Sequence, residues 1–134
     1  MYKRQVQHID IMPTLLDLLS LTKSQVLEGK SLLPLVSQGR EVNQYVFAGS
    51  EFSPAEDNLY LTESTRVEVV RNKQWKLIKE EILGPVPQPP TFELYNMAND
   101  KEEVYNLVDV EGDVLDDLES RLSDWSESIR KGNQ

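Results

Sequence analysis

The side chains that most often carry out chemistry in proteins are sparse in this sequence. The chain has no cysteine and a single histidine, His8. The lack of cysteine excludes disulfides, zinc–thiolate sites and cysteine nucleophiles. A serine–histidine pair or a metal cluster built on His8 would need convergent partners, which the neighbouring sequence does not supply. We therefore expect His8 to serve in packing or in hydrogen bonding at a helix end, and we predict no catalytic residue and no metal ligand in this chain.

Carboxylates are abundant and are concentrated toward the C-terminus. Asp and Glu number 23 against 14 Lys and Arg, which gives a formal net charge of −9. Within the acidic region, residues 109–113 (Asp-Val-Glu-Gly-Asp) are similar to a calcium-binding loop but lack its length and its terminal glutamate. A solvated acidic face that includes a helix cap explains these residues better. The excess of negative charge disfavours nucleic acid as a partner.

Two short helices are predicted in the first third of the chain. Residues 10–21 have Asp10 as a candidate cap, Pro13 in the first turn and several leucines on a wide apolar face. This pattern predicts a short buried helix. Residues 32–37 form a second helix, which Gly39 is expected to end.

The middle of the chain changes to a pattern that is typical of β-strands. Residues 45–48 and 92–95 are short runs rich in β-branched and aromatic side chains. Residues 66–81 predict a hairpin whose turn lies at Asn72 and Lys73, because asparagine favours the left-handed geometry of such turns.

The remaining segments indicate connections between these elements. Residues 50–65 are polar and irregular and predict a loop, and the prolines of residues 84–90 make that segment an extended connection. Residues 102–107 are expected to form one helical turn. Loops of this kind often carry specificity on a rigid scaffold, so residues 50–65 and 84–90 are candidates for the rim of a pocket.

The C-terminal helix is the clearest predicted element. Apolar residues recur at spacings of three and four at Val114, Leu118, Leu122, Trp125 and Ile129. Asp113 is expected to cap this helix. Helices, then strands, then a helix predict an α+β fold, in which a small antiparallel sheet of about four strands carries the C-terminal helix on one face and follows two short helices.

Four segments of the sequence contain distinctive short motifs: residues 6–19 (VQHIDIMPTLLDLL), residues 29–35 (GKSLLPL), Arg66 and Arg71 with residues 74–78 (QWKLI), and residues 93–100 (ELYNMAND) with Glu103, Asn106 and Leu107. Together and in this order, they resemble the C-terminal region of arylsulfatase-like sulfatases in the alkaline phosphatase superfamily. The resemblance implies that residues 1–40 are a helical segment from the end of a sulfatase α/β domain. Residues 41–134 would then be the C-terminal α+β subdomain.

Sulfatases cleave sulfuric esters with a formylglycine made from the Cys or Ser of a Cys/Ser-x-Pro-x-Arg motif, and they hold a divalent cation, usually calcium. This sequence contains no such motif, since Ser53 with Pro54 and Ser31 with Pro34 have the wrong spacing. The resemblance therefore implies a piece of a hydrolase that shapes a pocket, holds no cofactor itself and partners the N-terminal sulfatase domain of its parent.

Two residues are candidates for contact with substrate in such a parent. His8 and Glu51 are expected near the ends of their elements at the junction between domains.

A self-standing interaction module is the alternative interpretation. In a separate chain, the apolar helix predicted at residues 10–21 would be left uncovered and could support a homodimer. No membrane partner is expected, because no stretch approaches the roughly 18 apolar residues of a transmembrane helix.

Overall fold

The computed structural model describes residues 5–22, 27–53 and 63–132 of the chain. The chain divides into two compact units, Met1–Val46 and Phe47–Gln134. The division predicted between residues 40 and 41 rests on family motifs and stays a prediction. Every helix in the described ranges is too short or too polar to cross a lipid bilayer.

The first unit contains two short helices. A 3₁₀ turn, His8–Asp10, leads directly into helix α1 (Ile11–Leu18), and helix α2 (Leu33–Gln38) follows after a connection. Gly39 ends α2 as predicted, with a φ of 68° and its N–H donating to the carbonyl of Leu35. Both helices of the prediction are therefore present, although α1 is shorter than expected.

The apolar face of α1 is uncovered. The exposed fractions are 56% for Ile11, 54% for Met12, 46% for Leu15, and 64% each for Leu18 and Leu19. At 3.6 residues per turn these five side chains lie on one stripe, about a third of the helix circumference wide. We call them the α1 stripe. The prediction of a buried helix is wrong for this chain, because only the opposite face of α1 packs within the unit.

Ser20 follows α1 in a left-handed conformation, with a φ of 56°. Its N–H donates to the carbonyl of Asp17, and the N–H of Leu21 donates to that of Leu16 (3.1 and 2.8 Å). These two hydrogen bonds form the pattern that commonly ends a helix at a glycine, because a residue with a Cβ is disfavoured in the left-handed conformation.

Ser20→Gly is therefore expected to stabilise the first unit, by about 0.5–1 kcal/mol after the greater entropy of glycine in the unfolded chain is subtracted. Hydrogen exchange of residues 15–22 measures the effect. Ser20→Ala is the matched control because it keeps the Cβ. Equal protection in the two variants would show that backbone strain at Ser20 is negligible.

The second unit is a four-stranded antiparallel sheet followed by a long helix. The strands β1 (Val46–Phe52), β2 (Ser64–Arg71), β3 (Trp75–Leu83) and β4 (Thr91–Asn96) lie side by side in chain order. Helix α3 (Gly112–Gly132) packs on β2 and β3. The predicted α+β fold is confirmed.

The core of this unit lies between the sheet and α3. Val70, Leu77 and Leu94 are aligned across β2, β3 and β4, and none of them is exposed. Leu118 and Leu122 of α3 are equally buried. The predicted apolar face of α3 is confirmed, because its regular spacing leaves one face to meet the sheet.

The hairpin forms where it was predicted, but its turn is made differently. Arg71 and Lys76 are the last paired residues of β2 and β3. Asn72 is not among the residues with positive φ, so the predicted left-handed geometry is wrong. Its side-chain oxygen instead accepts hydrogen bonds from the N–H groups of Gln74 and Trp75 (2.8 and 2.7 Å). The side chain of asparagine thus closes the turn.

The helical turn predicted at residues 102–107 is absent. Both carboxylate oxygens of Asp100 accept hydrogen bonds, from the N–H groups of Val104 and Tyr105, and Glu103 adopts a φ of 58°. These backbone donors, chiefly that of Tyr105, lower the pKa of Asp100. An acidic side chain that bonds nearby backbone competes with helix formation, which explains the error.

The loop that contains Asn106 and Leu107 covers the edge of β4 that does not pair with β3. Leu107 N–H donates to the carbonyl of Leu94 (2.8 Å), and the Asn106 side-chain oxygen accepts from Leu94 N–H (3.0 Å). At the other edge, the loop predicted at residues 50–65 is shorter than expected, because β1 continues to Phe52 and β2 begins at Ser64. Residues 54–62 lie outside the described residues.

Candidate functional site

Asp10 is the polar centre of the first unit. Its side chain is 1% exposed. One carboxylate oxygen accepts hydrogen bonds from Gln7 N–H (2.9 Å) and from the side-chain amide of Asn43 (2.6 Å), and the other accepts from Lys30 N–H (2.8 Å). Asp10 does not cap α1 with its side chain. It joins three segments that are distant in sequence.

Thr14 and Gly29 complete this junction. The Thr14 hydroxyl accepts from Leu32 N–H at 2.9 Å and donates to the carbonyl of Asp10. A Cβ on Gly29 would clash with the carbonyl oxygen of Ile9, so no larger residue fits there without backbone movement. The motifs at residues 6–19 and 29–35 thus have a structural role, which is to hold the start of α1 against residues 29–32.

The two predicted substrate-contact residues lie in different units. His8 is exposed in the 3₁₀ turn of the first unit. Glu51 lies on β1 in the second unit, where its carboxylate accepts a hydrogen bond from the Arg66 guanidinium at 3.0 Å. A shared role for His8 and Glu51 at a substrate site stays a prediction.

The second unit contains a shallow depression beside Glu51, with a volume of about 250 Å³. We call it the β1–α3 depression, and it is lined by Gly49, Ser50, Glu51, Arg66, Glu68, Trp125, Ser126, Ile129 and Arg130. Strands β1 and β2 supply one wall, and the C-terminal half of α3 supplies the other. Polar groups lie mainly on the strand wall and apolar groups mainly on the helix wall.

Arg66 is held firmly on the strand wall. Its guanidinium contacts the carboxylates of Glu51 (3.0 Å) and Glu81 (3.5 Å). Two partners on different strands leave this side chain little rotamer freedom, while its remaining N–H groups stay available as donors.

Glu68 and Ser126 connect the sheet to α3. Each is 7% exposed, and the Ser126 hydroxyl donates to the Glu68 carboxylate at 2.6 Å. The sequence of this unit contains no histidine, so the unit itself supplies no imidazole base to the serine. This buried hydrogen bond links β2 to α3.

Trp125 forms the apolar wall together with Ile129. The Trp125 and Phe47 rings are stacked, with centroids 5.3 Å apart and an interplanar angle of 14°. A Cβ on Gly49 would lie 3.2 Å from the edge of the indole, so glycine lets the ring approach the strand. The indole is therefore held in one orientation.

Two weak signals of this depression are present in the sequence. Glycine inside a strand often marks a close approach of another group, and a serine inside the apolar stripe of α3 implies a polar partner. Neither signal identifies Arg66 or Arg130 as wall residues, because that depends on strand pairing. Within residues 5–22, 27–53 and 63–132, no three His, Asp or Glu side chains converge as a metal site.

Comparison with known proteins assigns the family. The model of the family described as N-sulphoglucosamine sulphohydrolase, C-terminal, matches residues 1–128. The chain belongs to this family, and the resemblance to the C-terminal region of a sulfatase is confirmed. Comparison with curated proteins gives no match.

Two solved structures show the same fold. The structure of BT4656 in complex with its substrate D-glucosamine-2-N,6-O-disulfate has a TM-score of 0.59 and 20% identity, and 92% of this chain aligns with 23% of that one. The phosphonate monoester hydrolase SpPMH from Silicibacter pomeroyi has a TM-score of 0.60 and 23% identity, and 98% of this chain aligns with 26% of that one. The chain thus spans about a quarter of the length of these proteins.

Proposed function

We propose that this chain is the C-terminal subdomain of a sulfatase-type sulfuric ester hydrolase, and that it completes the parent's fold and shapes its pocket without supplying reactive groups. The observation that carries the proposal is that residues 1–128 match a C-terminal sulfatase family while the sequence lacks the Cys/Ser-x-Pro-x-Arg motif. The parent's N-terminal domain would supply the formylglycine and a divalent cation, usually calcium.

The α1 stripe supports this role. Five large apolar side chains lie uncovered on one helix face that carries no charged residue. Uncovered apolar stripes of this kind mark surfaces that bind another protein domain. The N-terminal sulfatase domain is the proposed partner, and Asp10 holds the stripe in place through its three hydrogen bonds.

Glu51 and His8 are the proposed contacts with substrate. The ion pair with Arg66 fixes the Glu51 carboxylate as an acceptor for a hydroxyl or amine of the substrate. The exposed imidazole of His8 would donate to an anionic group. In the intact parent, His8→Ala and Glu51→Gln are each expected to raise KM, whereas Lys131→Ala is the control, because Lys131 pairs with Glu127 and does not line the β1–α3 depression. Unchanged kinetics in both variants would remove these contacts.

The size of the native polypeptide tests the proposal itself. Because the chain spans 23% and 26% of two proteins of the same fold, we expect peptides of this sequence to come from a polypeptide about four times as long. Immunoblotting with an antibody against this chain, with the recombinant chain as size marker, measures this. A native species of 15.4 kDa would contradict the proposal.

A self-standing dimerisation module is the second candidate, and the α1 stripe favours it as well. Light scattering of the purified chain tests this second candidate. A dimer that Leu15→Glu dissociates would support this role, with Val36→Glu as control because Val36 is 77% exposed outside the stripe. A monomer would remove the second candidate.

A further inference from the structure

The two outer strands of the sheet differ in how their free edges are covered. The strand order is β1-β2-β3-β4, so β1 and β4 each have one side without a neighbouring strand. The loop at Asn106 and Leu107 covers that side of β4 through its hydrogen bonds with Leu94. In the described part of the chain, no backbone hydrogen bond joins the free side of residues 48–52 in β1 to another segment. We call residues 48–52 the β1 edge.

The β1 edge lacks the features that usually protect such strands from pairing. Its five residues, Ala-Gly-Ser-Glu-Phe, are all exposed, and the exposed fraction of Phe52 is 62%. Natural edge strands are commonly protected by lysine, proline or an unpaired charge. The β1 edge contains neither lysine nor proline, and its single charged residue, Glu51, already pairs with Arg66 at 3.0 Å. Its backbone groups are therefore available to another strand.

A second copy of the β1 edge is complementary to the first. Antiparallel pairing about a two-fold axis at Ser50 aligns all five exposed residues of one chain with those of the other. Gly49 faces Trp125 of α3, so the side chains of Ala48, Ser50 and Phe52 lie on the other face of the sheet. On that face the register places serine opposite serine and Ala48 opposite the exposed phenylalanine. Both are favourable cross-strand pairs, because the serines can hydrogen-bond and the ring is covered.

Glu51 does not oppose this pairing. In the same register it lies opposite a glycine, which has no side chain, and the two Glu51 side chains are diagonal neighbours roughly 7–8 Å apart. Each keeps its Arg66 guanidinium at 3.0 Å, so two neutral ion pairs come together rather than two bare carboxylates. The repulsion between the two copies is therefore small.

We propose that the β1 edge is a homodimerisation surface, on which residues 48–52 pair antiparallel with the same residues of a second copy of this chain. The pairing joins two four-stranded sheets into one of eight strands. Because only five residues pair, the interface is small, and we expect a dimer dissociation constant on the order of 100 μM. This dimer depends neither on the hydrolase role nor on the α1 stripe, which belongs to the first unit.

Sedimentation equilibrium of the full chain, from about 10 μM to about 1 mM, tests this surface. Ser50→Lys and Ser50→Glu each place like charges directly opposite one another across the two-fold axis. Each variant is therefore expected to raise the dimer dissociation constant roughly tenfold. An equimolar mixture of the two variants is expected to recover the dimer, because each lysine then faces a glutamate. This recovery requires the two copies to meet at Ser50.

Thr91→Lys is the matched control, because Thr91 is an exposed residue of β4, whose free edge is covered. Leu15→Glu is expected to leave this dimer unchanged, which separates it from association through the α1 stripe. A dimer that the Ser50 variants lose and their mixture recovers, with circular dichroism unchanged, supports the proposal. Four results would overturn it: a monomer at about 1 mM, an equal loss in Thr91→Lys, a mixture that does not recover, or a dimer that only Leu15→Glu dissociates.

Discussion

Asp10→Ala is expected to destabilise the first unit by about 3 kcal/mol or more. The substitution removes the acceptor of the part-buried hydrogen bonds from the N–H groups of Gln7 and Lys30 and of the buried one from the amide of Asn43. A fully buried donor that loses its partner costs about 1–3 kcal/mol, and the carboxylate makes all three bonds stronger than neutral ones. Asp10→Asn, which keeps the shape but only part of the acceptor capacity, is expected to lie between Asp10→Ala and the unchanged chain.

Hydrogen exchange followed by mass spectrometry measures this loss region by region. Protection is expected to fall in residues 7–20 and 30–43 and to remain unchanged in β2 and β3. Glu28→Ala is the control, because Glu28 is an exposed acid in the same unit. Unchanged protection of the first unit in Asp10→Ala would show that these hydrogen bonds do not hold α1.

Leu77→Ala is expected to have the largest effect in the second unit, about 2–5 kcal/mol of unfolding free energy. Leu77 lies in the row between Val70 and Leu94, is fully buried and faces α3. Its truncation removes apolar contacts and leaves a cavity that a central strand cannot close easily.

Urea unfolding followed by tryptophan fluorescence gives this free energy. Leu83→Ala is the matched control, since Leu83 is a half-buried leucine at the end of the same strand. The Leu77 variant is expected to lose at least about 1 kcal/mol more than the Leu83 variant. Equal losses would place the core away from the Val70–Leu77–Leu94 row.

The elements that were predicted correctly depend on local patterns. Examples are the spacing of Leu118 and Leu122 in α3 and the polar turn at Asn72. Both features depend on neighbouring residues, so distant parts of the chain do not change them. One error is also local. The helical turn predicted at residues 102–107 is replaced by the hydrogen bonds that the Asp100 side chain accepts from the N–H groups of Val104 and Tyr105.

The α1 stripe illustrates a different limit. The sequence correctly places apolar residues on one face of α1, but an apolar face shows only that a surface needs a partner. Whether that partner lies in the same chain is not encoded in the pattern. The exposure of Leu15 and Leu18 is therefore information that the structure adds.

The candidate site was likewise predicted only in part from the sequence. Glu51 was selected for its place near the end of a strand, whereas its neighbours Arg66 and Arg130 were not. The register of β2 against its neighbours and the phase of α3 bring these groups to one cavity. Residues that are 64 positions apart in sequence give no periodic signal of their proximity.

A turnover assay of the purified chain tests the central proposal most directly. The chain, incubated with aryl sulfate and aryl phosphate esters with and without calcium, is expected to release no product above the buffer rate, with a complete sulfatase as the positive control. Turnover that copurifies with the chain and disappears in Ser126→Ala or Glu68→Gln, while both variants stay folded, would contradict a scaffold that lacks a reactive centre.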